Sequence, residues 1–217
     1  MTNSRSEYFW EGAILSVANA RDLLDAAAES AGSGRFGVAS SLAILCAEEC
    51  AKANGLLARA LSESDDTTTL KQYFTSHRVK HEVGSAVLTM FRITERLHSI
   101  ASKVALDKSI ADEEKDSHLI SRISEWSDAE VNGRENCAED IAAWKKDADR
   151  VKQNGFYVDR VGDGWHSPAS IGECEYVSRR DYALQFLEIL ESIVAYGSLP
   201  ELRQLFNRAM RSRKNDK

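Results

Sequence analysis

Apolar residues recur at helical spacing through most of this chain, and most densely over 35–61. At about 100° per residue, Val38, Leu42, Leu45 and Leu56 share an arc of roughly 60°, and Glu49 falls inside it. Ile44, Cys46, Cys50 and Leu57 continue round the wheel and leave little polar surface before Arg59. The pattern predicts a helix enclosed by other helices, the centre of a bundle. It also aims the Glu49 carboxylate at the core, where ionisation without a partner is expensive; Glu49 therefore meets a cation, becomes neutral or serves a site.

The flanking segments predict the helices around it. Phe9 or Trp10, Ala13, Val17, Ala20, Leu24 and Ala27 give a first amphipathic helix over about 6–30, and Gly32-Ser33-Gly34 turns the chain back antiparallel. The polar run SESDDTTT is a solvated loop whose threonines offer an N-cap to a third helix over about 70–104. On that helix Val79, Val83, Ala86, Val87, Met90, Leu97 and Ala101 form the apolar face; His77 and His81 project elsewhere and Lys80 lies at the border. Residues 107–132 are charged and weakly periodic, an insertion with one modest helix carrying Leu119, Ile123 and Trp126. A further helix over about 135–153 carries Ile141, Trp144 and Ala148. The breaker-rich stretch 153–168 holds Phe156, Tyr157 and Trp165, which are expected to pack back onto the body. Ser167-Pro168 starts a helix that ends near Gly197, with Tyr182, Phe186, Ile189, Ile193 and Tyr196 as its core face, and a short terminal helix follows over 199–210.

Composition sharpens the picture. With 217 residues, 43% of them hydrophobic, and only two prolines, the chain can bury the core of one domain built from long helices. The one β-prone run, Phe156-Tyr157-Val158, has no partner of matching pattern. The expected fold class is all-α, a bundle of about five to seven helices in a single domain over 1–217, with the insertion at 107–132 and a basic tail at 211–217. A net charge of -6 argues against a broad basic surface for indiscriminate nucleic-acid binding, though not against a local basic cleft. Cys46, Cys50, Cys137 and Cys174 form no C-x-x-C pair and read as reduced thiols of a cytoplasmic protein. Neither a signal-peptide core nor a membrane-spanning apolar run is present in the sequence given.

Two polar clusters carry the candidate chemistry: Glu48, Glu49 and Lys52 on the central helix, and His77, Arg78, Lys80 and His81 early in the third. Lys52 stands nine residues before one helix ends and His77 about seven after the next begins, so antiparallel packing brings them to comparable heights, some 10 to 14 Å from the loop. In the plainer reading, Glu48 and Lys52 make a surface i,i+4 pair and His77 and Lys80 are solvated.

Taken in order, Glu48-Glu49-x-x-Lys52, Phe74-x-x-His77-x-x-Lys80, and Gly155-Phe-Tyr157-Val-Asp159 followed by Trp165-x-x-Pro168 resemble the AbiV family of bacterial abortive-infection proteins. The resemblance covers about 9–196, outside the insertion. It implies a HEPN-like helical domain and a role in phage defence through shutdown of host gene expression. By that likeness the partners are RNA or the translation machinery, a phage-encoded activator protein and a second copy in a homodimer, and a metal-independent ribonuclease is implied, without a cofactor.

HEPN ribonucleases carry an Arg followed four to six residues later by His, a cation for the phosphate and an imidazole for the ribose 2′-hydroxyl. Arg92 and His98 have the spacing but stand in mid-helix about 120° apart. Before the last long helix, Lys152 and Tyr157 stand where Arg and His are expected, and a tyrosine with its ordinary pKa near 10 is a poor base. Base chemistry then falls to His77 or Glu49. The candidate catalytic set is Glu49, Lys52, His77, Lys80, Tyr157 and Asp159, with Arg78, His81 and Lys152 binding RNA. Two rivals remain: a non-enzymatic module that binds a phage or host protein, and a ferritin-like metal bundle suggested by Glu95-x-x-His98, for which a second such motif is missing.

Overall fold

A computed structural model of the protein describes residues 5–61, 71, 74–131 and 137–204, and their side chains except at 126–131, 137–146 and 161. The elements are α1 (Arg5–Gly32), α2 (Phe36–Leu61), α3 (His77–Leu106), α4 (Lys115–Val131), α5 (Cys137–Phe156), β1 (Asp159–Val161), β2 (Gly164–His166) and α6 (Glu173–Tyr196), with 3-10 turns at Asp112–Glu114 and Pro168–Ser170. Among the described residues the chain is all-α apart from one short hairpin, as its periodicity predicts.

Between α1 and α2 the chain reverses on Gly34, whose φ of 72° lies in the left-handed region that glycine enters at no steric cost. Arg35 N donates to Ser30 O at 2.9 Å and Gly34 N to Ala31 O at 2.8 Å, which satisfies the last carbonyls of α1. The two helices pack along their length, and α6 covers another side of α2, tied to α1 by Arg21, which grips Glu191 through Nε at 2.9 Å and Nη2 at 2.6 Å.

The central helix is enclosed as predicted, but not with the expected face inward. Ala39, Ala43, Ile44, Cys46, Cys50, Ala51, Ala53 and Ala60 are fully buried, whereas Val38, Leu42, Leu45 and Glu49 form the half-covered stripe. Helices approach most closely over small side chains, so alanine, serine and cysteine line most of the interior, with Ile44, Leu56 and Leu57 buried among them. At one end the approach is closer still. A Cβ on Gly155 of α5 would collide with Gly37 O and Ser41 Oγ of α2, and one on Gly37 would collide with the backbone of Pro168. Ser41 Oγ also donates to Lys152 O at 2.8 Å, which fixes the last turns of α5 against α2.

Helix α3 begins at His77, capped by Ser76, whose hydroxyl accepts from Val79 N at 3.3 Å. The threonines expected to supply this cap lie outside the described residues. A second correction concerns its face. Lys80, His81, Gly84 and Leu88 are buried, while Ala86 and Met90 are exposed. At Gly84 an added Cβ would stand 3.0 Å from Tyr182 Oη and 3.1 Å from the Phe186 ring, so α3 crosses α6 on its glycine. On α6 the buried set is Tyr176, Tyr182, Ala183, Phe186, Leu187 and Leu190; Ile189 and Ile193 are half-buried and Tyr196 is exposed, so the core arc is rotated from the expected one.

The stretch after α5 does not pack back. Its strand starts at Asp159, one step beyond the β-prone run, and pairs antiparallel with Gly164–His166 across a turn at Gly162, φ 61°. Tyr157, Val158 and Trp165 are exposed. Ser167 does cap Pro168 as read, accepting from Ala169 N at 3.3 Å, but only for one 3-10 turn before α6 begins at Glu173. Residues 199–204 are helical, and Arg203 donates to Ala60 O at 3.0 and 2.9 Å and to the Ser6 hydroxyl, closing the C-terminal end of α2. The basic tail lies outside the described residues.

The chain divides into two units, Met1–Gly84 with Asp147–Lys217, and Ser85–Lys146. Residues 107–132 fall within the second. There, Asp107 Oδ1 accepts from Ser109 N at 2.9 Å and Lys115 Nζ donates to Ala105 O at 3.2 Å, ordering the connection from α3 to α4.

Candidate functional site

Within the first unit, polar side chains from three helices converge on one carboxylate. Glu48, in the middle of α2, is only 3% exposed. Its Oε2 lies 2.7 Å from His77 Nδ1 and 3.8 Å from Lys80 Nζ; its Oε1 lies 2.6 Å from Lys152 Nζ and 3.5 Å from His81 Nε2. Asp149, one turn before Lys152 on α5, closes the group, with Oδ1 at 3.3 Å from His81 Nε2 and 3.4 Å from Lys152 Nζ. A buried carboxylate surrounded in this way is compensated, and removing one partner of such a pair costs about 3–5 kcal/mol.

Local sequence explains how the groups meet. His77, Lys80, His81 and Gly84 follow i, i+3, i+4, i+7 spacing, a helical stripe that is polar rather than apolar. Asp149 and Lys152 stand three apart on the turn of α5 that Ser41 and Gly155 hold against α2. Burial pushes the His81 imidazole below the ordinary histidine range, against the pull of Glu48 and Asp149. Burial alone would raise the Asp149 carboxyl, but the hydrogen bond from His81 and the nearby charges of His81 and Lys152 outweigh it and hold it low.

His77 Nδ1 is 2.7 Å from a carboxylate oxygen and 2.9 Å from Lys152 Nζ. With the proton on Nδ1 it donates to Glu48, and the lone pair falls on Nε2 of a ring whose side chain is 53% exposed. In that tautomer the exposed Nε2 can act as a general base; in the other, Nδ1 accepts from the Lys152 ammonium. Glu48, His81 and Asp149 also offer three donor atoms within 4.8 Å of one another, a spacing that suits a metal ion. The Lys152 ammonium already stands beside both carboxylates of that trio and balances their charge.

Of the residues singled out in the sequence, the structure brings His77, Lys80, His81 and Lys152 together. Lys152 and His81 are interior members of the cluster rather than surface cations. Glu48, read as a surface partner of Lys52, is instead the hub. Lys52 pairs with Glu49 at 2.5 Å, and the two sit at the edge of α2 with the Phe74 ring 6.0 Å from the Lys52 ammonium. Arg78 is exposed and pairs along its own helix with Glu82 at 3.3 Å. Tyr157 is exposed, and Asp159 accepts from Arg160 N at 2.8 Å. No hydrogen bond or ion pair among the described residues joins either to Glu48. Glu95 and His98 are exposed on α3. Asp149 escaped the sequence reading, and the signal that could have found it is its i,i+3 relation to Lys152.

Beside Lys52 lies a groove of about 460 Å³ lined by Tyr8, Gly12, Leu15, Leu56 and Phe74 among others. Cys46 and Cys50 are free and buried; burial and a hydrogen bond from Cys46 push the Cys50 thiol well up, which keeps it protonated. No helix among the described residues is long and apolar enough to cross a membrane.

A family model described as HEPN_AbiV: AbiV matches residues 10–188, a span that contains every member of the Glu48 cluster. No curated protein and no solved structure matches the chain.

Proposed function

The chain belongs to the AbiV family, and we propose that it is an abortive-infection effector of phage defence that cleaves RNA with His77 as general base. The observation that carries this reading is the 2.7 Å approach of buried Glu48 to His77 Nδ1. In the proposed reaction His77 Nε2 takes the ribose 2′-hydroxyl proton, the 2′-oxygen closes on phosphorus, and the 5′-oxygen leaves with a proton from water. Lys152, 2.9 Å from His77 Nδ1, supplies positive charge beside a phosphate placed at His77, and Lys80 and Asp149 hold the cluster in register. The effector works in the cytoplasm as a homodimer, answering a phage-encoded protein.

The test incubates purified protein with end-labelled RNA. Wild type should leave 2′,3′-cyclic phosphate ends, and His77→Ala should leave the RNA intact while keeping its helical far-UV circular dichroism at the assay temperature. Cleavage by His77→Ala equal to wild type would remove the histidine from the reaction.

A second reading, a non-enzymatic module that captures a phage or host protein, draws on the groove beside Lys52, whose rim exposes Tyr8, Leu15 and Phe74. It predicts that Leu15→Glu abolishes protection against phage and that His77→Ala does not.

A further inference from the structure

We propose that the hairpin following α5 is a stacking platform for unpaired bases, so that the RNA taken by this protein is single-stranded. The inference rests on the reading of the Glu48 cluster as an RNA site and names the form of RNA that enters it. Helix α5 ends at Phe156, and the next ten residues expose Tyr157, Val158 and Trp165, with Tyr157 at 67% and Trp165 at 76%. A single exposed apolar residue means little, but a tryptophan and a tyrosine displayed together on one short element mark a surface that something covers.

Three observations say what covers it. In the β1–β2 register Arg160 stands directly opposite Trp165, so a guanidinium and an indole leave the same face of the ribbon. Each stacks on a nucleobase, and the guanidinium also reaches phosphate. Phe156, 39% exposed, follows Lys152 by four residues on α5, on the same face and about 6 Å further along. A strand whose phosphate lies at His77 and Lys152 therefore meets a ring at a neighbouring nucleotide. Phe156 and Tyr157 stand edge to face, centroids 6.3 Å apart at 65°, which presents two ring surfaces in different directions. Of the acidic residues nearby, Asp159 is engaged by Arg160 N, and Asp163 sits in the turn beyond β1. A duplex keeps its base faces stacked inside, whereas a loop or free strand offers them.

The test measures binding of a 2′-O-methylated single-stranded oligonucleotide, which this chemistry cannot cleave, by fluorescence anisotropy. Trp165→Ala and Tyr157→Ala should each weaken binding about tenfold, Trp165→Phe and Tyr157→Phe should keep most of it, and a blunt duplex of the same sequence should bind far more weakly. Equal affinity in wild type and Trp165→Ala overturns the platform. So does a fall in the molar mass of Trp165→Ala by light scattering, which would make the hairpin a contact between copies. Cleavage of unmodified RNA, followed in parallel, separates this proposal from the reading it rests on. Binding that depends on Trp165 without cleavage by wild type leaves the platform and removes the catalytic role of His77; cleavage that ignores Trp165 does the reverse.

Discussion

The Lys152 ammonium lies 2.6 Å from Glu48 Oε1 and 3.4 Å from Asp149 Oδ1, and so stands beside two of the three groups a metal ion would need. Adding a divalent cation there would place its charge against Lys152 and Lys80 together. RNA cleavage should therefore proceed unchanged after dialysis against excess EDTA. Loss of cleavage, restored by zinc or manganese, would show that Lys152 yields its place to a metal.

Adjacent glutamates on α2 should behave very differently. Glu48→Gln keeps the shape but leaves the buried Lys80 ammonium without its carboxylate and Lys152 with Asp149 alone, at a cost of about 3–5 kcal/mol. Glu49→Gln breaks a single ion pair at the edge of the helix and should cost at most about 1 kcal/mol. Urea titrations of the two variants decide this, and equal losses would contradict the burial difference.

Acid should act first through His81. Its folded pKa lies below the unfolded value near 6.5, so in the window between them the unfolded chain binds a proton that the native state refuses. Stability is thus complete above that window and falls as pH drops through it. Asp149, held below 3.8, adds a second loss in stronger acid. The urea midpoint should be lower at about pH 5 than at about pH 7.5, and His81→Asn should flatten that difference. A slope that survives the substitution would assign the proton to another group.

Two glycines should answer differently to the same change. Alanine normally favours a helix over glycine by about 1 kcal/mol, yet Gly155→Ala drives a methyl group into Gly37 O and Ser41 Oγ and should destabilise by about 1–3 kcal/mol or more. Because Ser41 also holds Lys152 O, the variant should lose RNA cleavage as well. Gly172→Ala meets nothing within 4 Å and should melt with wild type in calorimetry.

The α1–α2 hairpin was legible because Gly32-Ser33-Gly34 supplies a residue that can enter the left-handed region, and α2 was legible as an enclosed helix because it has no polar side. The orientation of α2 and α3 was not. A helical wheel sends polar residues outward, and the rule fails where a carboxylate on one helix is met by cations from two others. Glu48 is 29 positions from His77 and 104 from Lys152, beyond any local window. What the wheel could register was the stripe itself, His77, Lys80, His81 and Gly84, at the spacing of a core face but in polar residues. The hairpin was missed for a similar reason: its strands carry too few apolar residues to alternate, and only the Gly162-Asp163 turn marks it.

The long reach of Glu48 also bears on the order of folding. Its bonds cannot form until α3 and α5 have both been brought to α2, which requires closing chain segments of 29 and 104 positions. Helix α1 meets α2 through a short turn and needs no such closure. The Glu48 network is expected to assemble late, so its substitutions should leave the refolding rate nearly untouched while accelerating unfolding, and slowed refolding of Glu48→Gln in stopped-flow would place it in the folding nucleus instead. On that expectation what the cluster contributes to the native protein is lifetime: it sets how long a folded chain persists rather than how quickly one forms.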